Sequence, residues 1–232
     1  MAGKLKYTRK DLKSPDEFIS AFSRAVAWAG ENRARVLAAG GGVLLLVAVF
    51  FGAQFYFRWE ENKATRDLWP HLNRAREFLQ SPANAEEEKL ARLESFLTAH
   101  VNTYPGTVAA VYARYYLGSI AFLRGNYDLS ATNFRAAIQS GKMNEVMPFL
   151  LREGLAQALE AKGDFAAASE AYRDAAGVAS GDLKTQAMMG QARTMSLSGR
   201  KSEAVGLYRT ILSGNPDPQT KEFVEIKLAQ SE

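Results

Sequence analysis

GLAQALEAKGDFAAASEAYRDAA, running from Gly154 to Ala176, is the stretch that decides the fold. Gly163 stands between two runs whose Ala and Leu residues recur at helical spacing. A glycine ends a helix in the left-handed conformation without a Cβ penalty, so Gly163 predicts a helical hairpin. Two further stretches repeat the pattern. LGSIAFLRGNYDLSATNFRAAI (Leu117 to Ile138) turns at Gly125, and GQARTMSLSGRKSEAVGLYRTIL (Gly190 to Leu212) turns at Gly199. The three turn glycines are 38 and 36 residues apart, and an aromatic follows each by nine: Phe134, Tyr172 and Tyr208. Gly154 and Gly190 precede their turns by the same nine residues. Small residues at Ser130, Ala168 and Ala204 let two antiparallel helices approach closely, and the aromatics are expected to fill the space between them. Each pair leaves an apolar face open, so the pairs must stack. Alternating strand patterns bounded by tight turns are absent.

This spacing resembles the tetratricopeptide repeat, a helix–turn–helix unit of about 34 residues. The chain departs from it by extra residues in the Gly141–Asn144 and Gly177–Asp182 connections. Pro216 falls after the third unit, where such repeats often end. Upstream, residues 58–106 read as a degenerate first pair. One helix carries Leu68, Leu72, Ala75 and Leu79 at helical spacing and contains Pro70, a candidate kink. Ser81-Pro82 breaks the chain, and Glu86 to Val101 forms the second helix, with Leu90, Leu93, Leu97 and Val101 on one face. Tyr104-Pro105-Gly106-Thr107 is a turn in which Thr107 caps the next helix. Residues 107–232 hold the three repeats and a capping helix expected from Lys221 to Gln230.

Ahead of the repeats, Val36 to Phe57 reads VLAAGGGVLLLVAVFFGAQFYF, 22 residues without a charge. About 20 mostly apolar residues span a bilayer as a helix. Hydrocarbon offers the peptide groups no hydrogen bonds, which makes a helix the form a lone segment must take. Arg33 and Arg35 close the run on one side and Arg58 on the other. Trp28, Tyr56 and Trp59 stand where belt aromatics sit. A cleaved signal peptide has an apolar core of about 7–15 residues behind a short basic start. Here 35 residues precede the run, and an uncleaved anchor is expected. The fold class is therefore all-α, a single N-terminal transmembrane helix followed by a solenoid of antiparallel helix pairs.

Charge adds an orientation. The chain carries a formal +4, and residues 1–35 hold eight Lys/Arg against four acids. The remaining 21 bases balance the remaining 21 acids over residues 58–232. The repeat domain therefore has no basic excess for nucleic acid. Basic flanks stay in the cytoplasm while long domains cross largely regardless of charge. The tail, residues 1–35, is expected inside and residues 58–232 in the periplasm. Within the tail, residues 1–13 are polar and basic, and Ser14-Pro15-Asp16-Glu17 has the pattern of a helix start. Phe18, Ile19, Phe22 and Val26 then make an apolar face, which lies in the headgroup region or simply leads into the membrane helix. With no cysteine, disulfides, thiolate metal sites and cysteine nucleophiles are excluded.

A search for chemistry finds no catalytic or metal motif. His71 and His100 fall on different predicted helices, and no phosphate-binding glycine loop follows a strand. Glu86, Glu87 and Glu88 begin a helix, where negative charge suits the dipole. No cofactor, metal or small-molecule substrate is predicted, and the reading is non-enzymatic. The concave side of a helix-pair stack is lined mainly by the first helix of each pair. Candidate groove residues are Tyr112, Tyr115, Ser119 and Phe122 in the first unit, and Glu153, Gln157 and Glu160 in the second. Gln186, Met189 and Arg193 complete them in the third. Tyr115, Phe122 and Met189 have an alternative role, packing between repeats.

The overall order carries a second resemblance. Asp16-Glu17-Phe18 with Phe22, then Glu31-Asn32-Arg33, one membrane helix, Arg58-Trp59 and a repeat domain are similar to the YfgM family of bacterial inner-membrane proteins. That resemblance implies an ancillary factor of the Sec translocon, working beside the periplasmic chaperone PpiD on emerging secreted chains. A scaffold for another envelope machine, in cytochrome maturation or pilus assembly, is the alternative. The basic residues 1–13 are longer than the tail this family implies.

Overall fold

In a computed structural model of the chain, residues 14–81, 86–141, 143 and 146–230 are described, with side chains from residue 19 onward. The polar stretch 1–13, Pro82, Asn144, and the side chains of Ser14 to Phe18 lie outside that description. Among the described residues every regular element is a helix. Packing divides the chain into two units, 1–58 and 59–232.

The first unit holds α1 (Ser14–Glu31) and the start of α2 (Arg33–Gln80). Asn32 separates the two helices: its backbone N–H and its side-chain Nδ2 both donate to the Trp28 carbonyl, at 2.9 and 3.0 Å. The apolar run occupies the first half of α2. None of its most apolar window is buried; Leu44 is 70% and Phe55 74% exposed. By length and composition this helix can cross a membrane. On α1, Ile19, Phe22, Val26 and Trp28 are exposed as well.

The second unit begins with the remainder of α2. The helix continues through Pro70 to Gln80. It is followed by α3 (Glu87–Thr103), α4 (Val108–Leu123), α5 (Tyr127–Gln139), α6 (Met147–Lys162), α7 (Phe165–Val178), α8 (Gly181–Leu197), α9 (Lys201–Ser213) and α10 (Pro218–Ala229). From α3 onward each helix packs on the next in sequence, as stacking of pairs requires. Gly125, Gly163 and Gly199 have φ of +74°, +88° and +86°, the left-handed values the hairpin reading demands. Ser130, Ala168 and Ala204 are wholly buried where α5, α7 and α9 meet their partners.

One expectation needs correction. The final helix begins at Pro218, not Lys221. The Asp217 carboxylate accepts from the N–H groups of Gln219 and Thr220 at 3.0 and 3.1 Å, and Pro218 fills the first helical position, whose missing N–H costs nothing. The aromatics fill their own hairpins and also reach the next repeat. A Cβ added to Gly118 of α4 would stand 3.0 Å from the Phe134 ring, and one added to Gly154 of α6 only 2.6 Å from it. Phe134 is thus held between the first helices of two successive repeats. Tyr172 meets Gly190 in the same way, again at 2.6 Å.

At the head of the unit, α2, α3 and α4 share a core of Leu68, Leu90, Leu93, Leu97, Val101 and Ile120. Full burial of a Leu or Ile side chain contributes about 1.5–3 kcal/mol. Polar ties fix the same corner. Thr107 Oγ1 accepts from Ala110 N–H at 3.1 Å, as its capping role predicts. Glu61 of α2 accepts from Val108 N–H at 2.9 and 3.1 Å, placing a carboxylate at the positive end of α4. Tyr104 OH donates to Asp67 at 2.9 Å.

The two histidines also meet here. The His71 ring stacks on Phe96 at 3.5 Å, and His100 lies between Phe96 and Tyr104. The His100 Nε2 is buried with no hydrogen-bond partner among the described residues. Burial holds the His100 imidazole below its ordinary range, with Asp67 opposing and His71 reinforcing. Burial, then Arg74, lowers His71 too. The unfolded chain therefore takes up protons at these rings before the folded chain does. Their stabilising contribution is complete above an unfolded pKa of about 6.5 and is lost as pH falls from there toward the folded values. We expect His100→Phe to flatten the decline in melting temperature between neutral pH and about pH 5.5. Thermal melts across that range check it, and an unaltered pH slope would remove His100 from the account.

Candidate partner-binding groove

Helices α6 and α8 are the first helices of successive repeats, and they contact each other. Two cross-repeat ties join them, each spanning 33 residues of sequence. Gln186 Nε2 donates to Glu153 Oε1. Arg193 donates to Glu160 through Nε at 2.6 Å and Nη2 at 2.7 Å, a two-pronged pairing. Tyr172 OH, from α7, donates to the same Glu160 carboxylate at 2.9 Å. The Arg193 guanidinium lies 5.9 Å from the centre of the Tyr172 ring, within reach of a cation–π attraction.

These contacts set the charges. Burial alone would raise the Glu160 carboxyl, but the hydrogen bonds from Arg193 and Tyr172 outweigh it and hold the group below its ordinary range. Glu160 is therefore an ionised partner for Arg193. The Tyr172 phenol is pushed well up, first by burial and then by Glu160, and remains a donor. Burial raises Glu153, with the Gln186 hydrogen bond opposing.

Next to these ties lies a hollow of about 400 Å³ between α6, α8 and α10. Five of the predicted groove residues line it: Glu153, Gln157, Gln186, Met189 and Arg193. Glu160 joins them indirectly through Arg193. The first-unit candidates are placed elsewhere. Tyr112 and Tyr115 are half-buried against the cores on either side of α4. The Ser119 hydroxyl donates to the Tyr115 carbonyl at 2.9 Å, and the Phe122 ring leans on Tyr127 at 5.5 Å. Met189 both lines the hollow and packs against the α8–α10 core.

Sequence reasoning missed the third wall. Gln219, Thr220 and Phe223 of α10 line the hollow, although that helix reads as a polar cap. Tyr172 reads as an internal spacer, yet it also lines the hollow. The equal spacing of Glu153 to Gln186 and Glu160 to Arg193, close to one repeat length, was the available signal for the ties. A second hollow of about 770 Å³ lies between the end of α2 and the start of α3. Among the described residues no group of three or more His, Asp and Glu side chains is placed to hold a metal ion.

Comparison with known proteins agrees with this architecture. The family model of the tetratricopeptide repeat matches residues 90–142 and 153–218, just over half of the chain. No curated protein and no solved structure matches the chain. Repeats of this kind are protein-interaction scaffolds, typically without enzymatic activity. A stack of glycine-turned helix pairs, with its matching repeat pattern, makes this chain a member of the tetratricopeptide repeat family.

Proposed function

We propose that this protein is a non-enzymatic, single-span inner-membrane scaffold that binds protein partners beside the Sec translocon on the periplasmic side. The observation that carries the reading is an exposed apolar run on the same chain as a repeat array with a hollow lined by predicted groove residues. Residues 36–57 supply the anchor. Trp28, Arg33 and Arg35 mark the cytoplasmic boundary, and Tyr56, Arg58 and Trp59 the other. The basic excess before the run favours a cytoplasmic tail, and anchoring raises the effective concentration of the groove at the membrane exit. Glu153, Gln157, Gln186 and Met189 form the centre of the groove, with Glu160 and Arg193 bracing it. Tyr112, Tyr115, Ser119 and Phe122 lie on α4, outside the hollow. The resemblance to the YfgM family points to the translocon, PpiD and emerging secreted chains as partners.

A photoreactive amino acid at Gln157, which is exposed and lines the hollow, tests this in intact cells. Crosslinks to translocon subunits, PpiD or secreted chains are expected. Recovery of cytochrome-maturation or pilus components alone would transfer the scaffold to a different machine.

A further inference from the structure

We propose that the hollow between α6, α8 and α10 selects protein segments that set a Lys or Arg side chain against Glu153, beside an apolar side chain on Met189 and Phe223. The inference rests on the scaffold reading and names the chemistry of its partner.

Glu153 is only 9% exposed, yet it lines the hollow. Its hydrogen-bond partner among the described residues is Gln186, a neutral amide. Two turns further along the same helix, Glu160 is neutralised by both prongs of Arg193. Glu153 has no such counter-charge among the described residues. A carboxylate withdrawn from water is costly unless a cation offsets it. The cation lining the hollow, Arg193, is already held by Glu160 and Tyr172. Lys227 sits over the Phe223 ring at 5.5 Å and donates to Gln230 at 3.3 Å.

The hollow therefore offers one buried carboxylate without a counter-charge among the described residues. A cation arriving there removes the cost of burying Glu153, whereas an acidic segment or a terminal carboxylate adds like charge to it. Met189 and Phe223 supply the apolar half of the site; Phe223 is 42% exposed. A volume of about 400 Å³ falls within the ~300–1,000 Å³ typical of sites that enclose a ligand.

The test uses the full chain in lipid nanodiscs and short fluorescent peptides of alternating Leu and Ser with a central Arg, read by anisotropy. Replacing that Arg by Gln should weaken binding at least about tenfold, the usual consequence of truncating one member of a buried charge pair. Replacing it by Glu should weaken binding further. Glu153→Gln should bind the Arg and Gln peptides alike. The peptide comparison on the unsubstituted protein stands even if that variant does not fold. Equal binding of the three peptides to the unsubstituted protein would overturn the inference and leave the scaffold reading in place. If no peptide binds, the inference also fails. The scaffold reading fails with it only if the Gln157 crosslinks are blank too.

Discussion

Replacing Phe134 by Ala should destabilise the repeat array by about 3–5 kcal/mol, the range for emptying a buried aromatic site. Phe134 is 2% exposed and lies against both Gly118 and Gly154. It is the side chain through which one repeat registers against the next. Stacked pairs are stabilised by nearest-neighbour interfaces, so the loss should concentrate in α5 and α6. Amide hydrogen exchange reads that distribution, and denaturant unfolding followed by circular dichroism reads its size.

A companion substitution isolates the contact. Gly154→Ala adds a methyl that would stand 2.6 Å from the ring. Over-packing of that kind costs about 1–3 kcal/mol, against a gain of roughly 1 kcal/mol in helix propensity. In the Phe134→Ala background the obstacle is gone, and the same Ala should become stabilising. A reversal of sign between the two backgrounds is the expected signature of direct coupling. If Gly154→Ala has the same effect in both, the ring moves aside freely and the registering role is lost.

The second large effect concerns the apolar run. Leu45→Arg together with Val49→Arg places two charges on one side of the helix, a turn apart. On the scale set by membrane insertion, Arg near a helix centre costs about 2.5–3.5 kcal/mol and Leu or Val contributes about 0.3–0.6 in the other direction. The pair should therefore cost about 6–8 kcal/mol, enough to abolish stable insertion. Sodium carbonate washing of membranes measures this directly. The unsubstituted chain should stay in the pellet and the double variant should move to the supernatant. A variant that remains in the pellet would mean that something other than this run retains the protein.

Much of the local structure was legible because it depends on the nature of single residues. Gly125, Gly163 and Gly199 announce their turns because L side chains avoid the left-handed region. Thr107 announces its cap because a hydroxyl beside the first free amides is a local device. Buried Ser130, Ala168 and Ala204 follow from close helix approach. The Glu61 contact with the start of α4 was not legible, since 47 residues separate donor and acceptor. Nor was the meeting of His71 and His100 around Phe96. The start of α10 at Pro218 was not legible, since a proline breaks a helix from within yet starts one at its first position.

The division has a physical cause. Backbone chirality, helical period and the length of an apolar run are properties of neighbours in sequence. They determined the helix pairs, their turns and a segment long enough to cross a bilayer. Which side chains face one another across two repeats depends on how each pair is rotated against the next, and sequence spacing leaves that rotation open. The tertiary structure decided it. It set Phe134 against Gly154, tied Arg193 to Glu160, and left Glu153 buried in the groove with an amide where a counter-charge would be.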